Sequence, residues 1–304
     1  MSFRLRMTDC LTLQFLADYR ILNIRQLSAV FRKDKQTISR RMGDLCKAGL
    51  VKVIPQNFGR NRGRPEYLLS VSEKGFGILK QKKLITDKVP YENTGPIGSN
   101  LLDHQLLLNW FRIYLNEIDK LGLNLTLQFL ACNSPFVPCW GDGHVIITDL
   151  TSIGLKTVRK VKFIPDAVFA LTNDTRDKSM LFFLEVDCGT ETLSSPQRDM
   201  SDIRQKILNY QWYFQSLRYK RYEAIFKVSH FQGFRVLFLS KTDGRLAALC
   251  KLTQEMEPSD FVWLTEQNRL FSDGVFWNIW ARGGDLYKSP QSILGRISRR
   301  LPLP

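Results

Sequence analysis

The first third of the chain alternates short amphipathic helices with apolar strands. Residues 8–19 carry apolar side chains at helical spacing, which predicts a first helix with Leu11 and Phe15 on its inner face. Thr8 or Asp9 suits its N-cap position. A second helix is predicted at 24–31, where Asn23 is a natural cap and the inner face holds Leu27, Val30 and Phe31.

A third helix is predicted from Lys35, and Gly49 is placed where a glycine commonly follows a helix end. Its apolar stripe consists of Ile38, Met42, Leu45 and Leu50. The opposite face carries short polar groups and guanidiniums, which are the groups that contact base edges in the major groove. These candidate DNA-binding residues are Lys35, Gln36, Thr37, Ser39, Arg40 and Arg41. The pattern therefore predicts a recognition helix.

Two predicted strands, 51–56 and 66–71, flank a basic loop at 57–65. This loop adds the candidate DNA-binding residues Arg60, Arg62 and Arg64. An amphipathic helix or a basic turn is common by itself. This order of elements is more specific, because it requires both the spacing of the elements and the position of the basic residues. It predicts a winged helix-turn-helix domain that binds double-stranded DNA. The run from Arg62 to Pro65 also looks like the core of an AT-hook, whose arginines lie in a narrow minor groove.

A chain of 304 residues is long enough for two domains that each bury a core. A helix at 72–83 closes the first domain, and the segment 87–100, rich in Pro, Gly and Asn, is a predicted linker. We therefore expect a winged-helix domain over residues 1–92, a linker to about 100, and a second domain over 101–304.

The second domain shows the order helix, strand, strand, strand, helix, strand. The predicted elements are a helix at 101–122, strands at 125–132, 160–171 and 180–187, a helix at 195–217 and a strand at 234–240. This αβββαβ string is the core order of the restriction-endonuclease-like fold. The fold class expected from the whole sequence is α+β or α/β.

Charge is concentrated in the first domain. Residues 1–90 hold 19 Lys and Arg against 7 Asp and Glu, a net charge of +12, out of +15 for the chain. A basic surface meets nucleic acid or anionic lipid, but the sequence has no basic amphipathic helix with a large apolar face. Nucleic acid is therefore the favoured partner of the basic first domain.

Several classes of protein are disfavoured by what the sequence lacks. No apolar stretch is long enough to span a membrane, and no secretory leader is evident, so we expect a soluble cytoplasmic protein. No Walker-type phosphate loop and no paired histidines occur, which argues against ATP use and against a histidine-pair relaxase. The cysteines show no metal-ligand or disulfide spacing, and these are Cys10, Cys46, Cys132, Cys139, Cys188 and Cys250.

Three carboxylates mark the strands of the second domain. Asp166 follows an Ile-Pro pair, Glu185 interrupts an apolar run, and Asp187 lies on the same strand face as Glu185. If the two strands pair as a hairpin, Asp166 and Glu185 meet at one end. Strand-end acids are often simply solvated, but a charge within an apolar run is costly unless it is compensated. The pattern predicts that all three bind Mg²⁺ or Mn²⁺.

These residues resemble known motifs. Asp166 followed by Glu185 and Asp187 resembles the PD-(D/E)XK nuclease motif, and the run EVDCGTE at 185–191 behind a winged helix resembles the replication-relaxation family of plasmid proteins. That family includes the MOBC relaxases. The resemblance implies a metal-dependent endonuclease that nicks one strand at an origin of transfer, or a replication protein that leaves plasmid DNA relaxed. Asp166 and Glu185 match the family's metal-binding carboxylates, whereas Asp187 stands where the common motif has lysine.

Two further candidates for the catalytic site come from helices. Lys206 is a candidate for the missing cation, and His104 is a candidate to approach the carboxylates, although each also reads as an ordinary helix residue. Tyr210 and Tyr213 are interpreted as core residues. The alternative function is a replication or transcription regulator that does not cleave DNA. In that case the nuclease-like domain is inactive and serves to form a homodimer or to dock other mobilisation or replication proteins.

Overall fold

The chain is an α+β protein that folds into two compact units. The first unit comprises Met1–Ile113 and Asn133–Cys139, and the second comprises Tyr114–Cys132 and Trp140–Leu303. Residues 93–113 group with the first unit, although the sequence assigned them to a linker and to the second domain. The structure is a computed structural model that describes residues 3–54, 67–141, 143–153, 159–195 and 202–301.

The first unit holds helices around a small antiparallel sheet with the strand order β1-β3-β2. Up to residue 81 the elements follow the predicted order, except for the two-residue strand Leu22–Asn23, which the sequence pattern did not predict. The predicted wing loop, with Arg60, Arg62 and Arg64, lies outside the described residues. The elements of this unit are α1 (Met7–Tyr19), β1 (Leu22–Asn23), α2 (Ile24–Phe31), α3 (Lys35–Lys47), β2 (Val51–Ile54), β3 (Leu68–Val71), α4 (Glu73–Gln81) and most of α5 (Leu102–Leu115).

Local capping sets where α2 and α3 begin. The predicted cap of α2 is confirmed, because the Asn23 side chain accepts a hydrogen bond from the backbone N–H of Gln26 at 2.8 Å. At α3, the Asp34 carboxylate accepts from the backbone N–H of Thr37 at 2.8 Å. Gly49 follows α3 with φ of +73°, a conformation that glycine adopts without strain.

The buried face of α1 differs from the predicted one. Leu11 is 43% exposed and Phe15 is half-buried, whereas Leu13, Leu16 and Ala17 are fully buried. The helix also starts one residue before Thr8, so neither predicted cap residue occupies the cap position. Periodicity could not select the face, because apolar residues occur on both sides of this helix.

Polar contacts tie α5 to the first unit. The Asn109 side chain donates to the backbone oxygens of Tyr19 and Ile21, at 3.2 and 2.5 Å. The guanidinium of Arg112 lies 2.5 Å from the carboxylate of Asp18. Since unpaired buried polar groups are costly, these bonds hold α5 against α1.

The second unit is built on a six-stranded sheet with the order β11-β10-β9-β8-β7-β4. The pairs β8–β9 and β9–β10 are parallel, and the other neighbours are antiparallel. Strands β5 and β6 form a separate two-stranded hairpin. The elements are β4 (Leu125–Ala131), β5 (Asp149–Ile153), β6 (Arg159–Phe163), β7 (Ala167–Asn173), β8 (Lys178–Asp187), α6 (Ile203–Gln215), α7 (Arg221–Phe226), β9 (Phe234–Ser240), α8 (Asp243–Gln254), β10 (Val262–Glu266), α9 (Gln267–Asp273) and β11 (Ala281–Arg282).

The strand predicted at 160–171 is two strands in the structure. Strand β6 ends at Phe163, and β7 begins at Ala167 in a different sheet. Pro165 lies between them and has no backbone N–H to contribute to a sheet. The interruption matters for function, because it places Asp166 immediately before β7 rather than inside a longer strand.

An aromatic layer holds α6 against the sheet. Phe183 of β8 packs against Tyr210 and Tyr213 of α6, with ring centroids 5.4 and 5.9 Å apart. Both tyrosines are buried, as the sequence predicts. This packing sets the position of α6 over the end of β8. No helix in the described part of the chain is long and apolar enough to cross a membrane.

Candidate functional site

Asp166 and Glu185 lie opposite each other at one end of the β7–β8 hairpin. The last pair of the ladder is Ala167 opposite Leu184, and Asp166 and Glu185 are the adjacent residues of the two strands at this end, where their charges interact. The backbone N–H of Asp166 donates to Leu184 O at 3.1 Å, and the Asp166 carboxylate accepts from the N–H of Val186 at 2.8 Å. The antiparallel pairing expected from the sequence therefore brings these two carboxylates to the same place.

Glu185 is buried and held by two residues of α6. It is 3% exposed, and its Oε1 accepts a hydrogen bond from the Tyr210 hydroxyl at 2.6 Å. Its Oε2 accepts from Lys206 Nζ at 3.1 Å. Lys206 and Tyr210 are four residues apart, so they share one face of α6. The candidate cation proposed from the sequence is thus in direct contact with a candidate metal ligand.

Burial and neighbouring charges set the ionisation of this pair. Burial raises the pKa of Glu185, the positive charge of Lys206 opposes this shift, and the negative charge of Asp166 adds to it. Burial would lower the pKa of Lys206, but Glu185, Glu191 and Asp166 together raise it above its usual range. Lys206 is therefore a firmly protonated cation among three carboxylates.

Glu191 is a member of this cluster that the sequence argument missed. Its Oε1 accepts a hydrogen bond from Lys206 Nζ at 2.8 Å. Its Oε2 is buried and has no hydrogen-bond partner among the described residues. The available signal was the motif EVDCGTE, in which Glu191 follows Glu185 by six positions.

Asp187 does not join the other carboxylates. It is 4% exposed, its Oδ2 accepts from Arg245 Nε at 2.6 Å, and its Oδ1 accepts from the N–H of Gly189 at 2.7 Å. Arg245 also donates to the backbone oxygen of Glu191 at 2.6 Å. The three-carboxylate site predicted from Asp166, Glu185 and Asp187 is therefore not formed, because Asp187 pairs with Arg245 of α8.

The remaining donors suit a divalent cation as a pair. In the described ranges, no group of three or more His, Cys, Asp or Glu side chains is placed to hold a metal ion. Mg²⁺ is commonly bound by only one or two protein carboxylates, together with waters and substrate phosphates. Asp166 and Glu185 could supply such a pair of oxygen ligands. Glu191 contacts Lys206 through Oε1, and its Oε2 has no hydrogen-bond partner among the described residues. Asp187 is instead paired with the guanidinium of Arg245.

His104 belongs to the other unit. It is half-buried in α5 within the first unit, whereas Asp166 and Glu185 are in the second. Its approach to the carboxylates stays a prediction.

Tyr213 does not contact Glu185 as Tyr210 does. Its hydroxyl donates a hydrogen bond to Asp149 at 2.6 Å.

The outer face of α3 is exposed, with one exception. Arg41 is only partly exposed, and its Nε donates to Asp9 Oδ1 at 2.7 Å while a second nitrogen pairs with the other oxygen. Asp9 is 1% exposed, so Arg41 neutralises a buried carboxylate of α1. The predicted contact residues of α3 whose side chains are exposed are Lys35, Gln36, Thr37, Ser39 and Arg40.

Comparison with known proteins assigns the chain to a family. The family model described as replication-relaxation matches residues 13–228. This range runs from α1 through both candidate sites to the end of α7. No curated protein and no solved structure is similar enough to the chain to count as a match. Since the family match covers most of its length, the chain belongs to the replication-relaxation family, which indicates a role in the replication or mobilisation of mobile elements.

Proposed function

We propose that this protein is a Mg²⁺- or Mn²⁺-dependent nickase that binds duplex DNA at an origin of transfer or replication of a plasmid or other mobile element. The observation that carries the proposal is the contact of Lys206 with Glu185, beside Asp166. The nuclease motif needs two carboxylates and a lysine together. Here the lysine comes from α6 instead of from the position that Asp187 occupies.

Each residue of the carboxylate site has a separate role in the proposed reaction. Asp166 and Glu185 would hold the cation, which would supply activation of a water and stabilisation of charge on the phosphate. Tyr210 and Lys206 each hold one oxygen of Glu185, so that carboxylate is preorganised. The ammonium of Lys206 would stabilise the negative charge that develops on the scissile phosphate.

DNA binding is assigned to the first unit. The order of α1, β1, α2, α3, β2 and β3 supports a winged helix, in which α3 enters the major groove. The exposed residues Lys35, Gln36, Thr37, Ser39 and Arg40 contact base edges and phosphates. Arg60, Arg62 and Arg64 of the predicted wing neutralise the backbone. Arg41 is not included among the proposed DNA contacts, because its guanidinium is hydrogen-bonded to Asp9.

The proposal is tested on supercoiled plasmid that carries the element's own origin. Wild type with Mg²⁺ or Mn²⁺ should convert it to the open circle, whereas Asp166→Ala and Glu185→Gln should not. Glu255→Gln is the matched control, because it removes an exposed carboxylate that pairs with Arg204 at 2.8 Å. DNA affinity should be nearly equal in all four proteins. Nicking by an Asp166→Ala, Glu185→Gln double variant would exclude this mechanism.

A second candidate function is a regulator that binds the same DNA without cutting it. It is favoured by one observation, that both oxygens of Glu185 are already bonded to protein groups. In that case the ion pair is structural, and the second unit serves dimerisation or partner docking. Wild type that binds origin DNA tightly and leaves it supercoiled with either metal would favour this function.

A further inference from the structure

The hairpin β5–β6 stands apart from the main sheet and leads into the carboxylate site. Its strands pair with Leu150 opposite Lys162 and Ser152 opposite Lys160. Strand β6 ends at Phe163, three residues before Asp166. The residues of this hairpin are therefore close in sequence to the proposed cleavage site.

The hairpin has one buried face and one exposed face. On the buried face, Asp149 and Thr151 are inaccessible, and Phe163 packs edge-on against Tyr210 with centroids 5.1 Å apart. On the exposed face, Lys160 and Lys162 point to solvent. The alternation follows the two-residue period of a strand.

A polar anchor fixes the hairpin in place. The Asp149 carboxylate is 1% exposed and accepts hydrogen bonds from the hydroxyls of Tyr213 at 2.6 Å and Tyr222 at 2.8 Å. Arg221 Nε donates to it at 2.7 Å and its Nη1 donates to the backbone oxygen of Ile146 at 2.9 Å. A buried charge with this many partners holds the hairpin in one orientation before any ligand binds.

The exposed face is positively charged. Lys162 Nζ lies 2.7 Å from Nε2 of His144, and the exposed Arg218 donates to Leu150 O at 3.2 Å. Across the part of the chain that the structure describes, no carboxylate forms an ion pair with Lys160 or Lys162. Within the described residues, the charge of neither lysine is balanced by a carboxylate, and Lys162 contacts the imidazole of His144.

We propose that the hairpin β5–β6 binds the DNA backbone beside the scissile phosphate, with Lys160 and Lys162 each neutralising a phosphate. This inference rests on the proposed function. Lys162 is four residues before Asp166, so their Cα atoms are at most about 14 Å apart. A two-stranded ribbon also has a shape that the major groove admits. The hairpin is thus a second DNA contact, which positions the strand for cleavage while the first unit anchors the duplex.

The test measures the salt dependence of duplex binding by the full chain. Each phosphate contact contributes about 0.9 to the slope of log affinity against log salt. The Lys160→Gln, Lys162→Gln double variant should therefore lower this slope by about 1.8, and Lys160→Arg, Lys162→Arg should retain it. The matched control is Arg176→Gln, Lys178→Gln, which removes two exposed cations at the opposite end of the β7–β8 hairpin and should leave the slope unchanged.

The outcomes separate this inference from the function on which it rests. A slope in the Lys160→Gln, Lys162→Gln variant equal to that of the control would overturn the hairpin's role, even if wild type binds and nicks DNA. Absence of salt-dependent duplex binding by wild type would overturn the proposed function as well. A lower slope in the glutamine variant alone supports the contact, whether or not nicking is observed. All variants should keep the thermal midpoint of wild type, because the replaced side chains are exposed.

Discussion

Lys206 Nζ lies 3.1 Å from Glu185 Oε2, although the two residues are 21 positions apart and lie on different elements. In the proposed nuclease site, the helix supplies the cation that the common nuclease motif places two residues after the glutamate. Asp187, which occupies that motif position, pairs instead with Arg245 of α8. One end of β8 therefore has two ion pairs, Glu185 with Lys206 and Asp187 with Arg245. Only the pair of Glu185 and Lys206 lies beside Asp166.

Breaking the Lys206–Glu185 pair should destabilise the protein. Lys206→Met leaves a buried carboxylate without its cation, which we expect to cost about 3 kcal/mol in the free energy of unfolding. Adding Glu185→Gln should recover part of this loss, because a neutral amide still accepts a hydrogen bond from Tyr210. Urea unfolding of the two single variants and the double variant measures the coupling. Strictly additive losses would show that the two side chains do not interact.

Replacement by alanine should lower DNA affinity at Arg40 and stability at Arg41. Arg40→Ala should weaken binding to the cognate site and leave the unfolding free energy unchanged, because its side chain is exposed. Arg41→Ala should cost about 3 kcal/mol of stability, because it leaves the carboxylate of Asp9 buried without its cation. Thermal unfolding and duplex titration of both variants separate the two roles. A loss of cognate affinity in Arg41→Ala with unchanged stability would return Arg41 to the DNA-contacting face.

The ion pair of Asp9 should make stability depend on pH in acid. Burial would raise the pKa of Asp9, but hydrogen bonds from Arg41 and from the backbone of Arg6 lower it below its usual value of about 3.9. The contribution is therefore complete above the unfolded pKa and is lost as pH falls through the lower folded pKa. Asp9→Asn should be less stable than wild type near pH 7, and the difference should shrink below about pH 4. A difference that stays constant from pH 7 to pH 3 would contradict this assignment.

Restoring the lysine of the common motif should damage this protein. Asp187→Lys places a second cation against Arg245 and removes the acceptor of two hydrogen bonds. We expect a loss of about 3 kcal/mol or more of stability, and a smaller loss for Asp187→Asn, which keeps an acceptor. Mn²⁺ titration by calorimetry should give the same affinity for Asp187→Asn and wild type. Loss of metal binding in Asp187→Asn, with the fold intact, would make Asp187 a ligand.

The sequence by itself determined the features that depend on neighbouring residues. The cap at Asn23, the glycine after α3 and the buried stripe of α3 follow from local hydrogen bonding and periodicity. The hairpin that brings Asp166 to Glu185 was also predictable, because two apolar strands joined by a short turn pair antiparallel. These signals lie within a few residues of the structure that they specify.

Only the tertiary structure decided which charges pair. Arg41 meets Asp9 across 32 positions, and Asp187 meets Arg245 across 58. The buried side of α1 was likewise undetermined, because both sides of that helix are apolar. In each case several partners are equally acceptable by local rules, and the choice depends on how helices distant in sequence pack. A buried charge takes the cation that packing brings within hydrogen-bond distance, and no short-range pattern records that distance.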